Sequence, residues 1–254
     1  MSEELAIISS SATEKLPPPK VYGAWATIFM GVAIGIFALL AMPLLVEVVF
    51  QTAELAFNLS PVSYGLIVVS STIATGLSGM ALIDMVIRMN GNRSIVDYIG
   101  LRRLNWKIVF LALAAFIIVL VCIIGIGVVY EYFFDASGNA SNSDFMDDAY
   151  SSVSWWSLWM ATVVFAPVFE ESFFRGFLFA GLQRSRLGVI GTITITSLVW
   201  AALHLQYNLF GMFTIVVMGI VLGVTRYKTH SLWSTIIVHA MWNGMVLVST
   251  MLVS

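Results

Sequence analysis

The chain has 254 residues, of which 59% are hydrophobic, 10% charged and 13% aromatic, and its formal net charge is −2. An ordinary soluble domain is about a quarter charged, so a water-facing surface of the usual kind cannot be built. The mean hydropathy of +0.94 excludes a soluble globular enzyme and a disordered chain alike.

The first twenty residues (1–20) form a polar tail, and Pro17-Pro18-Pro19 gives it a stiff, non-helical end. The tail lacks the charged start, short apolar core and small-residue cleavage site of a secretory signal. A transmembrane helix needs about 20 mostly apolar residues. In the region 21–134 three stretches meet that test: residues 22–46, 62–87 and 108–134, with 51–60 readable as a short interfacial helix. The segment 135–150 is acidic and Ser/Asn-rich, as a solvated linker would be. Four further apolar stretches follow in the region 152–250: residues 155–182, 189–205, 209–225 and 232–253. Only Gln206-Tyr207-Asn208 separates the second and third of these, which reads as a tight helical hairpin. The expected fold is an all-α polytopic transmembrane helix bundle of about seven spans.

Eleven of the 12 Lys and Arg residues test that count, the twelfth, Arg175, lying inside the fourth span. Lys15 and Lys20 precede the first span. Arg88, Arg93, Arg102, Arg103 and Lys107 lie between the second and third, Arg184 and Arg186 between the fourth and fifth, and Arg226 and Lys228 between the sixth and seventh. A seven-span alternation puts all of these on one side, and the other side carries acidic residues from Glu47 to Asp148. Basic loops stay in the cytoplasm, so a cytoplasmic N-terminus in a multi-pass cell-membrane protein is expected. The balance of charge leaves no basic surplus for nucleic acid. The single cysteine, Cys122, permits no intramolecular disulfide and no thiolate metal cluster.

Charged residues near the bilayer centre cost roughly 2.5–3.5 kcal/mol each and mark functional sites. Glu170, Glu171 and Arg175 lie inside the fourth span after Pro167, and His204 and His239 lie inside the fifth and seventh. Glu171 and Arg175 are four apart and share a helix face, so they can pair. Glu170 is rotated about 100° away and is left without a partner. His239 and Asn243 also share a face, and Trp200 is expected to pack beside His204. At 1.5 Å per residue, Glu170, His204 and Asn243 lie about 18–21 Å from the cytoplasmic end of their spans, and His239 about 12 Å. A carboxylate, two imidazoles and an amide thus converge at similar depth from three helices. Such a set suits hydrolysis of an amide bond, with a carboxylate to activate water and N–H donors for the oxyanion. No Gly-x-Ser-x-Gly elbow supplies a hydroxyl nucleophile.

These residues resemble a known family. Glu170-Glu171-Ser-Phe-Phe-Arg175 is similar to the EExxxR motif of the CAAX-protease and bacteriocin-processing (Abi, Rce1-like) intramembrane glutamic endopeptidases. Trp200-Ala-Ala-Leu-His204 resembles their second motif, in which the aromatic is usually Phe, and His239-Ala-Met-Trp-Asn243 resembles their HxxxN motif. The resemblance implies that 152–250 is a catalytic membrane domain. Glu170 would then be the water-activating base, helped by His204, with His239 and Asn243 binding the oxyanion and Glu171 and Arg175 supporting the site. No cofactor is expected, although Glu170, His204 and His239 could form a two-His, one-carboxylate zinc set with Glu171 as base. The implied partner is a membrane-associated protein or peptide substrate within the lipid bilayer. Two other classes compete: a non-catalytic scaffold or immunity-type binding protein, and a proton-coupled transporter, although no inverted repeat supports the last.

Overall fold

The computed structural model describes residues 18–60, 62–92, 94–134 and 153–253, and among them every regular element is helical. Helix α1 runs over Ala24–Phe57 with a π-helical stretch at Phe37–Ala41. It stops at Asn58, which takes the left-handed conformation (φ 51°) that Asn tolerates. Helix α2 spans Tyr64–Met89 and starts at Ser63, whose hydroxyl accepts from the Leu66 N–H, meeting one of the orphan donors of a first turn. A short α3 (Ile95–Ile99) and the long α4 (Trp106–Phe134) follow. Helix α5 occupies residues 155–182, α6 is Gly188–Ala202, α7 is Leu209–Thr229 and α8 is Leu232–Val253.

Five helices, α1, α2, α4, α7 and α8, are long and apolar enough to cross a membrane. Their outward faces carry large apolar side chains such as Trp25, Val121 and Leu252 in exposed positions, which water would penalise and lipid would not. The molecule is a multi-pass membrane protein. Two of the expected spans lie outside that set of five. Residues 155–182 are helical throughout, but two π-helical stretches interrupt them at Met160–Phe165 and Ser172–Leu178. Helix α6 has 15 residues, about 22 Å of rise against a hydrocarbon core of about 30 Å.

Two other expectations change. The segment 51–60 is not a separate interfacial helix, because α1 continues through it to Phe57. Pro43 does not break α1, since it falls in the first turn after the π stretch, where a missing N–H is tolerated. The fifth span also ends earlier than position 205: α6 stops at Ala202, and His204 lies in the connector to α7. The loop 135–150, Lys15, Arg93 and the tail before Pro18 lie outside the described residues.

Helix α5 is the centre of the bundle. Its Phe169, Phe173, Phe174 and Phe177 are all buried, and it packs against α1, α2 and α8. Helices α6 and α7 form the expected close hairpin. A Cβ at Gly219 would meet the Ser197 Cβ at 2.8 Å, and one at Gly223 would meet Ile193 Cγ2 at 2.9 Å. Only glycine allows α7 so near α6, and that closeness brings the Gly219 carbonyl within reach of α5.

Candidate active site

The site grows from an irregularity in α5. In its first π stretch the N–H of Ala166 bonds the carbonyl of Ala161, five residues back. The next such bond would join Pro167 to Thr162, but proline has no N–H to give. The Asn243 side chain of α8 takes its place, its Nδ2 donating to the Thr162 carbonyl at 2.8 Å. Interruptions of this kind gather at functional sites. Here Pro167 ties α5 to α8 and fixes the Asn243 amide in the wall of the cavity that Glu170 also lines.

Glu171 and Arg175 form the expected pair, Nη1 to Oε1 at 3.0 Å, with both side chains 0% exposed. The same oxygen accepts from His239 Nδ1, also at 3.0 Å. Arg175 donates from Nη2 to the Gly219 carbonyl at 3.3 Å, and its guanidinium lies 4.5 Å from the centre of the Trp200 ring. A buried charge is tolerated only when paired and hydrogen-bonded. These contacts pair the charge of Arg175, leaving its buried Nε without a hydrogen-bond partner, and tie α5, α6, α7 and α8 together.

Glu170 points elsewhere, as the rotation about α5 requires, yet it is not without a partner. The Trp200 indole Nε1 donates to its Oε2 at 2.6 Å. Trp200 therefore does more than pack. It is 2% exposed, and its ring meets His204 and His239 edge-on at 5.3 and 5.2 Å between centroids. One residue of α6 thus touches the carboxylate, both imidazoles and the guanidinium.

His204 owes its position to the end of α6. Its own N–H turns back to Ala201 at 3.0 Å, and its Nδ1 reaches the Trp200 carbonyl at 2.7 Å. A carbonyl can only accept, so Nδ1 carries the proton and Nε2 of the neutral ring offers a lone pair. The side chain replaces the i−4 bond that a continuing helix would have made. For His239 the same reasoning gives an Nδ1–H directed at Glu171. Nε2 of His239 then donates a hydrogen bond only when both ring nitrogens are protonated.

All four expected catalytic residues, Glu170, His204, His239 and Asn243, line one cavity of about 600 Å³. The supporting residues Glu171 and Arg175 lie behind that wall. Tyr207, in the connector after His204, also faces the cavity. Burial pushes its phenol above the usual range and the nearby Glu170 charge adds to the shift, so it remains protonated at neutral pH. Sequence reasoning missed Tyr207 and the donor role of Trp200. Among the described residues no three His, Cys, Asp or Glu side chains are grouped to hold a metal ion. The zinc set of Glu170, His204 and His239 does not fit as these side chains stand, because Glu170 is turned onto the indole and the Trp200 ring contacts both histidines.

Fold and site together define a helical membrane protein with a paired buried charge cluster next to a polar-ended cavity. Residues 152–245 match the family described as Type II CAAX prenyl endopeptidase Rce1-like. No curated protein and no solved structure matches the chain significantly.

Proposed function

We propose that the chain is an intramembrane endopeptidase that hydrolyses a peptide bond of a membrane-associated protein or peptide, in a cell membrane and without a metal. The observation that carries this reading is the convergence of Glu170, His204, His239 and Asn243 on one cavity. Glu170 accepts a proton from water, His204 Nε2 orients that water, and the hydroxide attacks the carbonyl carbon. His239 in its doubly protonated form and Asn243 donate to the oxyanion, and one such donor is worth on the order of 10²–10³ in rate. Glu170 then passes its proton to the departing amine as the C–N bond breaks. Glu171, held between Arg175 and His239, fixes the ring for that donation. Apolar walls at Ile123, Phe210 and Trp242 suit a substrate carrying a lipid-like chain, in keeping with the prenyl substrates named for the matched family.

The test compares membrane peptides of cells carrying the wild type with cells carrying Glu170→Gln or His204→Ala. Purified wild type in proteoliposomes should then cleave the candidate substrate, and neither variant should, although both insert normally. Unchanged cleavage by both variants overturns the reading. Chelator treatment should leave the activity intact, and an activity lost on chelation and restored by zinc would reassign Glu170, His204 and His239 as ligands.

A further inference from the structure

A second cavity, of about 610 Å³, opens at the other end of α5 and is lined by residues of α3, α5, α7 and the α3–α4 connector. Its cationic side chains are Arg102, Arg184 and Arg226, joined by His230, against one acid, Asp97. Arg226 is only 8% exposed. Its Nε donates to the Arg175 carbonyl and its Nη2 to the Ile99 carbonyl, each at 3.0 Å. A guanidinium has five N–H groups, so these bonds use two of them. None of the ion pairs among the described residues involves Arg226, Arg102 or Arg184.

The chain is shaped around this guanidinium. Gly100 passes over it with φ +72°, and a Cβ there would collide with Arg226 Nη2. The Gly100 carbonyl is held by the Leu232 N–H at 3.0 Å, which fixes the turn as a lid on one side of the arginine. A charge buried without a counter-charge is expensive, and backbone carbonyls meet only part of the requirement. The open side of Arg226 faces a hollow where two more arginines converge. Arginine is the side chain best suited to bidentate binding of phosphate oxygens, and basic pockets between helix ends at a membrane boundary bind anionic headgroups.

We propose that this cavity is a binding site for a phosphate-bearing anion, with Arg226 at its base and Arg102 and Arg184 at its rim. It is separate from the peptidase reading: neither Glu170 nor either cavity-lining histidine of the first site contributes to it. The shared chemistry is a phosphate oxyanion, carried by a lipid headgroup or by a soluble molecule.

The experiment is native mass spectrometry of the full chain in uncharged detergent, with phosphatidylglycerol, phosphatidylcholine or inorganic phosphate added. Wild type should retain one phosphatidylglycerol in preference to phosphatidylcholine. Affinity should drop roughly fivefold for each of Arg102→Gln and Arg184→Gln, and binding should be lost in Arg226→Gln. Arg103→Gln and Lys107→Gln remove basic side chains of the same connector and helix start that do not line the cavity, and they should change nothing. Competition by inorganic phosphate identifies a soluble anion as the occupant, and its failure to compete identifies a headgroup. Equal retention of both lipids, with no phosphate binding, overturns the proposal. So does an equal loss in the Arg103 and Lys107 variants, which would reduce the effect to general surface charge. Arg102→Gln and Arg184→Gln keep the test decisive if Arg226→Gln does not fold.

Discussion

Replacing Trp200 with Phe separates packing from hydrogen bonding at the centre of the site. Phenylalanine keeps an aromatic plane for the Arg175 guanidinium, now 4.5 Å from the ring centre, and for the edge contacts with His204 and His239. It deletes the Nε1–H that reaches Glu170 at 2.6 Å. A hydrogen bond to a charged acceptor contributes about 1.5–3 kcal/mol, and each 1.36 kcal/mol corresponds to a factor of ten in rate. Glu170 freed from the indole loses the fixed position from which it is proposed to act as base, so kcat should fall by roughly 10- to 100-fold. KM should hardly move, because the indole N–H faces the base and not the substrate. The smaller ring should also lower stability by about 1–2 kcal/mol, visible as a lower Tm. The assay is cleavage in proteoliposomes of a substrate defined by the Glu170 comparison, with kcat and KM measured separately. A Trp200→Phe protein with reduced Tm and undiminished kcat would refute the argument and leave Trp200 as packing alone.

Other variants test other parts of the arrangement. Arg175→Met leaves Glu171 as a buried carboxylate with His239 beside it but no guanidinium, and should destabilise the protein by about 3–5 kcal/mol. Thermal unfolding should show that loss, and adding Glu171→Gln should recover part of it. Asn243→Ala orphans the Thr162 carbonyl, with a stability cost of about 1–3 kcal/mol and a drop in kcat on the order of 10²–10³. Asn243→Asp, which cannot donate when ionised, should show the same kinetic loss. Gly219→Ala presses a Cβ onto Ser197 and should cost about 1–3 kcal/mol, read as a lower Tm, while also shifting the carbonyl that anchors Arg175.

Much of this site is legible in the sequence because helix geometry is periodic. The four-residue spacing of Glu171 and Arg175 predicts their ion pair, and the rotation of Glu170 predicts that it faces elsewhere. What spacing cannot supply is the partner from another helix. Trp200 reads as an apolar neighbour of His204, and nothing in α6 alone says that its indole reaches α5. Thr162 reads as an ordinary span residue until Pro167 is set against the π stretch, where the missing N–H is felt five residues back and not four. Boundaries fail for a related reason. The apolar run through Leu205 continues past the end of α6, so composition places His204 inside a span. Its ring instead satisfies the Trp200 carbonyl, and this bond lets the helix stop.

That exchange bears on how the site holds its shape. Both histidines have Nδ1 spent on a fixed acceptor, a backbone carbonyl for His204 and a buried carboxylate for His239. Each ring therefore presents Nε2 outward, with its tautomer decided by the protein and not by solvent. The two acceptors differ in charge: in the mechanism proposed above, the neutral carbonyl holds the ring that orients the water, and the Glu171 carboxylate holds the ring that donates to the oxyanion. Replacing Glu171 with Gln keeps a hydrogen-bond partner but removes the charge, so it should impair the oxyanion step while sparing water activation. In kinetic terms kcat should fall and inhibition by a charged tetrahedral analogue should weaken in proportion, whereas an uncharged substrate analogue should bind as before. Equal weakening for both analogues would show that Glu171 only holds the fold.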